Sequence, residues 1–285
     1  MEGSSTASAA SCTFPAEIYN MIIDYLHEDK ESLISCAIVC KAWVNTSRSH
    51  LFATFKSSPK KSTCAALARF FNGSPDVVCY IRKLVLRNYV NINLDDLLKL
   101  LIPLTEVHLR VLQLINTRLA SLGNTTWTCP PLTHCHLRIL HISLRGFSQV
   151  DIDNIYRIIG LFNRVGALEI NISGIVEVGD APGSYMGGAT PNIVVGRLRV
   201  SCLPATTLFN LVATSNMGPH LAAFDLTPLI GGWDDVVRIG DTIRATPNIE
   251  RFYFVLLGPE ARLSPPNGTW STSACLFDAH DDTVR

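Results

Sequence analysis

The sequence predicts an α/β protein in which an N-terminal pair of helices precedes a solenoid, that is, a curved parallel sheet with helices on its outer side. Two observations predict this fold. Residues 14–52 carry two apolar runs with helical spacing. Beyond them, a short apolar template recurs about every 28 residues, with helical segments between its copies. One strand and one helix in each repeat build a stack of parallel strands.

The first apolar run is typical of a helix that starts at a proline. Phe14-Pro15-Ala16-Glu17-Ile18 places Pro15 at the first helical position, where its missing N–H leaves no bond unmade and its φ angle is already helical. Apolar residues then recur at the i, i+3 and i+4 spacing of one helix face. They are Ile18, Met21, Ile22, Tyr25 and Leu26.

A second apolar run follows a polar break at residues 27–30. It predicts a second helix, and its apolar members are Leu33, Ile34, Cys36, Ala37, Val39, Cys40 and Trp43. Two short helices cannot bury this much apolar surface against each other, so a partner must cover part of it. The alternative is an ordinary helical hairpin that caps a larger domain.

The repeat has the form apolar-x-x-apolar-x-apolar and occurs seven times. Successive copies start 28, 28, 28, 30, 26 and 28 residues apart, and every template position is apolar. The copies are Ile81/Leu84/Leu86, Leu109/Leu112/Leu114, Leu137/Leu140/Ile142, Val165/Leu168/Ile170, Val195/Leu198/Val200, Leu221/Phe224/Leu226 and Ile249/Phe252/Phe254. Each copy predicts a short strand.

Segments between the templates have helical spacing and complete each repeat. They are 94–101, 152–162, 206–214 and 233–243, and a further helix is predicted at 64–71. Prolines such as Pro103 are expected in the connectors. Two connectors, 119–135 and 174–192, show no clear helix. The alternative is an ordinary α/β domain with regularly spaced strands, because both folds share the same strand positions.

Composition excludes several classes of function. Lys and Arg together number 24, as do Asp and Glu, so bulk charge gives no case for binding nucleic acid or an anionic membrane. The first residues have neither the basic nor the apolar part of a secretory signal. The nine cysteines form no disulfide pattern and are expected to be reduced, which places the protein in cytoplasm, nucleus or both.

No motif predicts catalysis or a bound cofactor. Metal-ligand residue types cluster at Cys129, His134, Cys135 and His136, but their spacing does not suit a structural zinc site. The acidic tail around Asp278 to Asp282 is interpreted as solvated. The sequence lacks H-E-x-x-H, G-x-S-x-G and P-loop patterns. We therefore predict neither an enzyme nor a metal site, and an unassigned enzyme or metal protein is the least favoured alternative.

Stacking of the repeats in register would align side chains across the sheet. Arg82, Arg110 and Arg138 each follow a first template residue and would line up at one end of the sheet. Arginine captures carboxylate or phosphate with two parallel hydrogen bonds, so this column predicts a site for an acidic or phosphorylated partner. The column between the second and third template residues is mixed and suits a polypeptide; its predicted binding residues are Gln113, His141, Glu169 and Arg199. The alternative is a set of charges that only keep an apolar sheet soluble.

The N-terminal segment resembles an F-box. The family's Leu-Pro-x-Glu-Ile opening, helix-closing Leu and Val-Cys-Lys-x-Trp-like ending correspond to Phe14-Pro15-Ala16-Glu17-Ile18, Leu26 and Val39-Cys40-Lys41-Ala42-Trp43. Phe14 departs from the usual leucine. The segment is especially similar to the large F-box sets of mushroom-forming fungi. The repeats resemble degenerate leucine-rich repeats, because the Asn or Cys that usually follows the template is displaced by one residue, as at Asn88, Asn116 and Cys202.

These resemblances imply a domain organisation and a function. They imply a disordered leader (1–12), an F-box (13–55), a linker and helix (56–80), about seven leucine-rich-like repeats (81–257) and a C-terminal tail (258–285). The implied function is that of the substrate-receptor subunit of an SCF-type cullin–RING ubiquitin ligase, and the alternative is a protein-binding scaffold with a vestigial F-box. The implied partners are the ligase adaptor and an unidentified protein substrate. The residues expected to bind the adaptor or form the core of the hook are Phe14, Pro15, Ile18, Ile22, Leu26, Leu33, Val39 and Trp43.

Overall fold

The described part of the chain is an α/β structure of helices and a mainly parallel sheet. The computed structural model describes residues 15–39, 41–106, 109–120, 132–147, 149–176, 193–215, 217–229, 233–244, 246–254 and 275–278. The chain divides into two compact units, Met1–Thr54 and Phe55–Arg285. The predicted α/β class is confirmed.

The first unit contains three helices where the sequence predicted two. They are α1 (Ala16–Tyr25), α2 (Lys30–Val39) and α3 (Lys41–Phe52). The second apolar run is therefore divided between α2 and α3. The prediction of one helix for the whole second run was wrong. Trp43 belongs to α3, where its ring packs against that of Tyr19 on α1, with ring centroids 5.7 Å apart. The inner residues of this unit are Ile23, Leu33, Cys36 and Ser47.

Helix α2 begins at a carboxylate cap. Asp29 accepts hydrogen bonds from the backbone N–H groups of Glu31 and Ser32, both at 3.1 Å, and from the Ser32 hydroxyl at 2.6 Å. These bonds satisfy N–H groups that lack partners within the helix. Hydrogen bonding to the ionised form, first of all from the Ser32 side chain, lowers the pKa of Asp29. The polar break between the two apolar runs is thus the start signal of α2.

The second unit is built on a nine-stranded sheet whose strands follow chain order. Strands β2 to β8 are parallel neighbours, and β9 pairs antiparallel with β8. The strands are β1 (Thr54–Ser57), β2 (Lys83–Arg87), β3 (Val111–Ile115), β4 (Leu132–Phe147), β5 (Phe162–Val176), β6 (Val194–Pro204), β7 (Ala223–Leu229), β8 (Arg251–Phe254) and β9 (Cys275–Asp278).

The strands pair in the register that the repeat predicts. The second template residues lie opposite one another from strand to strand, as do the third ones. The first of these two rows is Leu84, Leu112, Leu140, Leu168, Leu198, Phe224 and Phe252. All seven are buried. Side chains of alternate strand residues point to opposite faces, so the residues between the two template rows lie on the other face, called the second face below.

Helices between the strands complete a single apolar core. They are α4 (Cys64–Gly73), α5 (Pro75–Val78), α6 (Leu94–Glu106), α7 (Gln149–Ile159), α8 (Ala205–Thr214) and α9 (Trp233–Arg244), with a short 3₁₀ helix at Gly218–His220. Pro103 was expected in a connector but lies inside α6. An internal proline costs a helix about 3 kcal/mol. The complete burial of Leu100, Leu101 and Leu104 offsets this, at about 2 kcal/mol for each leucine.

Three strands are longer than the short template predicted. Strands β4, β5 and β6 span 16, 15 and 11 residues. After β2 and β3, by contrast, the chain turns at once through Asn88 and Asn116, which have left-handed φ angles of 58° and 49°. Asparagine adopts this conformation more readily than most residues. The Asn116 side chain donates a hydrogen bond of 3.2 Å to that of Asn88, so the displaced asparagines bridge neighbouring repeats.

Gly166 on β5 lies against the backbone of β4, and we expect Gly166→Ala to destabilise the protein. A Cβ atom at this position would lie 2.8 Å from the backbone carbonyl oxygen of Arg138. Backbone cannot move aside as a flexible side chain can, so overpacking should lower the free energy of unfolding by about 2 kcal/mol. Gly73→Ala is the control, because a Cβ there meets nothing within 4 Å. Urea denaturation of both variants measures the difference; equal stability would contradict the close approach.

The C-terminal segment closes the sheet at one end. Strand β9 pairs with β8, placing Phe277 opposite Phe252 and Leu276 opposite Tyr253. The sequence predicted only a tail here and no strand. The tail beyond residue 257 therefore contributes a strand to the sheet.

The hydroxyl group of Tyr89 fixes the segment that precedes α4. It lies 2.7 Å from the Ser57 hydroxyl and donates a 2.8 Å hydrogen bond to the carbonyl oxygen of Ser62. Tyr89 and Ser57 are both buried. Tyr89, which follows β2, thus bonds to both ends of the segment 57–62, part of the predicted linker.

We expect Tyr89→Phe to lower the free energy of unfolding by about 1–2 kcal/mol, because it leaves the buried Ser57 hydroxyl without this partner. Burial raises the pKa of Tyr89 above its ordinary value. The contribution of the neutral hydroxyl to the free energy of unfolding is therefore fully present below the ordinary pKa and is lost as the pH rises through the raised one. Tyr89→Phe should reduce this alkaline loss of stability. Tyr25→Phe, whose side chain is exposed, is the control. Chemical denaturation at neutral and alkaline pH measures both effects, and an unchanged stability would contradict the role of the hydroxyl.

Candidate functional site

Helix α1 exposes a continuous apolar surface. Ile18 and Ile22 are 40% and 45% exposed, and Met21 and Tyr25 are 67% and 87% exposed. Together with Leu26 they line a shallow depression of about 340 Å³. We call these five residues the α1 surface. An exposed apolar surface of this kind marks a site of contact with another molecule.

The opposite side of α1 is held by α3. Besides the contact between Tyr19 and Trp43, His50 lies 2.7 Å from the Asp24 carboxylate, and the Thr46 hydroxyl donates a 2.7 Å hydrogen bond to the Asn20 side chain. Ile23, on this side, is fully buried. These contacts orient α1, so that the α1 surface remains exposed on its other side. Substitutions of its most exposed members, Met21 and Tyr25, therefore remove little packing from the unit.

Helix α2 adds a second group of exposed apolar side chains, which we call the α2 surface. Ile34, Ile38 and Val39 are 56%, 83% and 64% exposed, while Leu33 and Cys36 are buried. The buried residues are three positions apart and lie on the same helix face. Helix α2 thus resembles α1 in having one apolar stripe inside the unit and another outside.

The structure separates the predicted adaptor-binding residues into two groups. Ile18, Ile22 and Val39 are exposed, Leu26 is partly buried, and Pro15 is exposed at the cap of α1. Leu33 is fully buried and therefore has the second of the two roles expected for this set, a place in the core of the hook; Trp43 is partly buried against Tyr19. Phe14 lies outside the described residues.

Four exposed residues were not included in the predicted adaptor-binding set. They are Met21, Tyr25, Ile34 and Ile38. The helical spacing of Met21 and Tyr25 with Ile18 and Ile22 was a signal that could have identified them.

On the second unit, the polar column runs across the second face of the sheet. Its residues lie opposite one another on successive strands, from Gln113 on β3 to Tyr253 on β8. The full column is Gln113, His141, Glu169, Arg199, Asp225 and Tyr253. Val85, which precedes them on β2, is buried and contributes no surface. The predicted column therefore begins at β3.

Four members of the polar column form a ladder of ion pairs. His141 Nδ1 lies 3.0 Å from Glu169 Oε2, and the Arg199 guanidinium lies 3.7 Å from Glu169 and 3.1 Å from Asp225. Arg197 approaches the same Asp225 carboxylate to 3.8 Å. Arg199 thus pairs with carboxylates on both neighbouring strands, and Arg197 pairs with the one on β7. This ladder was not predicted as such, because the sequence shows which residues are aligned but not which side chains meet.

The arginine column consists of Arg82 and Arg110, which directly precede β2 and β3, and of Arg138, which lies within β4. The Arg110 N–H donates to the carbonyl oxygen of Arg82 at 2.8 Å, and the Arg138 N–H donates to that of Arg110 at 2.7 Å. The column continues at Gly166 and Gly196, both of which lie close to the preceding backbone. The side chains of Arg110 and Arg138 are exposed. Within the described ranges, no carboxylate forms an ion pair with either of these two.

The cysteines that the structure describes are free thiols. Cys36 and Cys64 are buried, and Cys79 and Cys202 are partly so. Burial, together with the nearby Asp96 carboxylate, raises the pKa of Cys64 to about 12, which keeps its sulfur protonated and unreactive. Cys129, Cys40 and the side chains of His134 and Cys135 lie outside what is described. Among the described residues, no three His, Cys, Asp or Glu side chains are placed to hold a metal ion.

Comparisons with protein-family models, curated proteins and solved structures give no match to this chain. In the described part of the chain, none of the helices combines the length and the apolar character needed to cross a bilayer. The surfaces described above, and not a relative, are therefore the basis for assigning a function.

Proposed function

We propose that this protein is a substrate receptor of an SCF-type cullin–RING ubiquitin ligase. In this proposal, the first unit is an F-box that binds the adaptor subunit, and the second unit is a degenerate leucine-rich-like solenoid that binds the protein to be modified. The observation that carries the proposal is the apolar α1 surface, on a helix whose sequence has the F-box opening Pro15-Ala16-Glu17-Ile18. The second unit supports it through strands paired in chain order at the repeat spacing.

Apolar burial supplies the expected affinity for the adaptor. Burying side chains such as Ile22, Met21 and Tyr25 gains roughly 25 cal/mol per Å² of apolar area removed from water. The inward contacts of α1 with α3 already fix the helix, so binding requires little ordering. Pre-organisation of this kind leaves more of the gain for affinity.

The receptor makes no bond itself. Its contribution is proximity, because holding the target beside the ubiquitin-charged enzyme makes transfer effectively intramolecular. The residues proposed to face the target are the arginine column (Arg82, Arg110 and Arg138) and the polar column (Gln113, His141, Glu169 and Arg199).

The test is co-expression of the full chain with a ligase adaptor subunit, followed by affinity purification and gel filtration. The proposal predicts a stoichiometric complex that survives gel filtration. Well-folded protein that never co-purifies with the adaptor would favour the alternative, a scaffold with a vestigial F-box whose functional surface is the second unit alone.

A further inference from the structure

The end of β1 and the loop that leads to α4 carry four hydroxyl groups, three of which are hydrogen-bonded. The Ser57 hydroxyl is buried against that of Tyr89. The Ser62 hydroxyl donates to the carbonyl oxygen of Thr63 at 3.3 Å, and the Thr63 hydroxyl caps α4 by accepting a backbone N–H at 3.2 Å. The fourth hydroxyl, that of Ser58, forms no hydrogen bond with any residue that the structure describes.

Ser58 begins a turn whose hydrogen bonds come from the backbone. Its carbonyl oxygen accepts the N–H groups of the residues three and four positions further on, at 2.9 Å and 3.2 Å. Pro59, Lys60 and Lys61 in this turn are exposed, and Ser58 is half-buried. Because Tyr89 bonds to both ends of the segment, the base of the turn is fixed while its Ser58 hydroxyl remains available.

The residues that follow Ser58 distinguish it from other serines and threonines of the chain. Six of these residues directly precede a proline, and they are Ser58, Ser74, Thr190, Thr227, Thr246 and Ser264. Of the six, only Ser58 is followed by lysine at the second and third positions, where Lys60 and Lys61 stand. After Ser74, by contrast, the second position is Asp76. The combination Ser-Pro-Lys-Lys therefore occurs once in the sequence.

We propose that Ser58 is the acceptor site of a proline-directed protein kinase, with Lys60 and Lys61 as the basic residues that the kinase recognises. Proline has no N–H group, so Pro59 can enter an apolar pocket of the kinase without leaving a donor unsatisfied. The two ammonium groups can form charge-assisted hydrogen bonds with carboxylates of the kinase, which orients the segment. The inference goes beyond the proposed receptor function and does not depend on it.

The reaction takes its phosphoryl group from ATP. Ser58 Oγ forms a bond to the γ-phosphorus, the bond from that phosphorus to the oxygen that bridges to the β-phosphate breaks, and ADP leaves. The hydroxyl proton passes to an aspartate of the kinase, which acts as the base. Modification of Ser57 would instead break its bond to Tyr89. Among the described hydroxyl groups of this segment, that of Ser58 is thus the one whose modification breaks no hydrogen bond with a described residue.

The phosphate would lie among positive charges. Lys56, Lys60 and Lys61 are exposed, and within the described ranges none of the three forms an ion pair. A phosphoserine carries a charge of about −1.5 to −2 at neutral pH, so it would offset most of the charge of these lysines. We therefore expect the Tm of the phosphorylated chain to be unchanged or raised.

The experiment is incubation of the full chain with a purified proline-directed kinase and MgATP, followed by mass-spectrometric mapping of the modified residues. We expect incorporation at Ser58 that is at least about tenfold faster than at Ser74. Ser74 is the matched site within the chain, because it also precedes a proline, is half-buried and forms no capping bond through its side chain. It differs in having Asp76 where Ser58 has Lys60.

Four variants separate recognition from folding. Ser58→Ala should remove the incorporation, Pro59→Ala should slow it about tenfold although the hydroxyl is retained, and Lys61→Gln should slow it about fivefold. Lys99→Gln on α6, which also replaces an exposed lysine, should leave the rate within about twofold. Circular dichroism should show the wild-type fold for all four.

Four results would overturn the inference. They are absence of incorporation into the wild-type chain, equal rates at Ser58 and Ser74, unchanged rates in both Pro59→Ala and Lys61→Gln, and a lowered Tm of the phosphorylated chain. Binding of the ligase adaptor is measured separately, so failure of the proposed receptor function leaves this result standing.

Discussion

Ile22→Asp should abolish binding to the ligase adaptor while leaving the protein folded. Ile22 lies at the centre of the α1 surface, between Ile18 and Tyr25, and is 45% exposed in the free chain. The aspartate is therefore solvated when the protein is alone. In the complex, it would place an unpaired charge in an apolar contact and remove the contribution of a buried isoleucine. We expect a loss of about 3 kcal/mol or more, which is over a hundredfold in Kd.

The control for this prediction is Ile102→Asp. Ile102 lies on α6 of the second unit and is 46% exposed, so the two variants receive the same change at nearly equal exposure. Calorimetric titration with the adaptor should give wild-type affinity for Ile102→Asp and no measurable heat for Ile22→Asp, with matching circular dichroism spectra. If the Ile22 variant bound as the wild type does, the α1 surface would not be the adaptor site.

Phe224→Ala should cause the largest loss of stability among the substitutions considered. Phe224 is fully buried on β7, and its ring lies 5.9 Å from that of Phe252 in an edge-on arrangement. Truncation removes the transfer free energy of the ring, leaves a cavity and abolishes the aromatic pair, which together amount to about 3–5 kcal/mol. The cavity would adjoin β8, so the last repeat and the β9 pairing should loosen first.

Tyr253→Ala is the matched control, because Tyr253 on β8 carries an aromatic ring on the second face and is 39% exposed. Its truncation should change the free energy of unfolding by less than about 1 kcal/mol. Urea denaturation followed by fluorescence measures both variants, and hydrogen exchange of β8 locates the loosening. Equal losses for Phe224 and Tyr253 would contradict the assignment of buried and exposed faces.

The positions of the strands could be predicted because one physical requirement sets them. Each repeat must bury two alternate residues, such as Leu112 and Leu114, against the same core, and the spacing of these pairs is legible in the sequence. The lengths of β4 and β5 could not be predicted. Their extensions depend on pairing with a neighbouring strand, for instance Leu144 opposite Ile172, and a template of six residues contains no information on how far pairing continues.

The helical unit shows a different limit. Apolar spacing identified α1 and α2 but could not decide which stripe is buried, because both stripes of α1 are apolar. The contacts that decide it, Tyr19 with Trp43 and Asp24 with His50, join residues far apart in the sequence. For the same reason the sequence could not decide whether Leu33 lies at the binding surface or in the core, and the structure places it in the core.

The candidate surfaces on the sheet were predicted in part. Register follows from the repeat, so the alignment of Arg82, Arg110 and Arg138 could be stated in advance, and the backbone bonds between them agree with it. The ion pairs of Arg199 with Glu169 and Asp225 could not be predicted, because they depend on side-chain conformation.

The central claim is that the α1 surface is an adaptor-binding surface, and hydrogen–deuterium exchange of the full chain with and without the adaptor tests it most directly. The account predicts slowed exchange in α1 (Ala16–Tyr25) when the adaptor is added, with exchange in β2 to β8 unchanged. Unchanged exchange in α1 at saturating adaptor, or protection that appears only in the sheet, would contradict it.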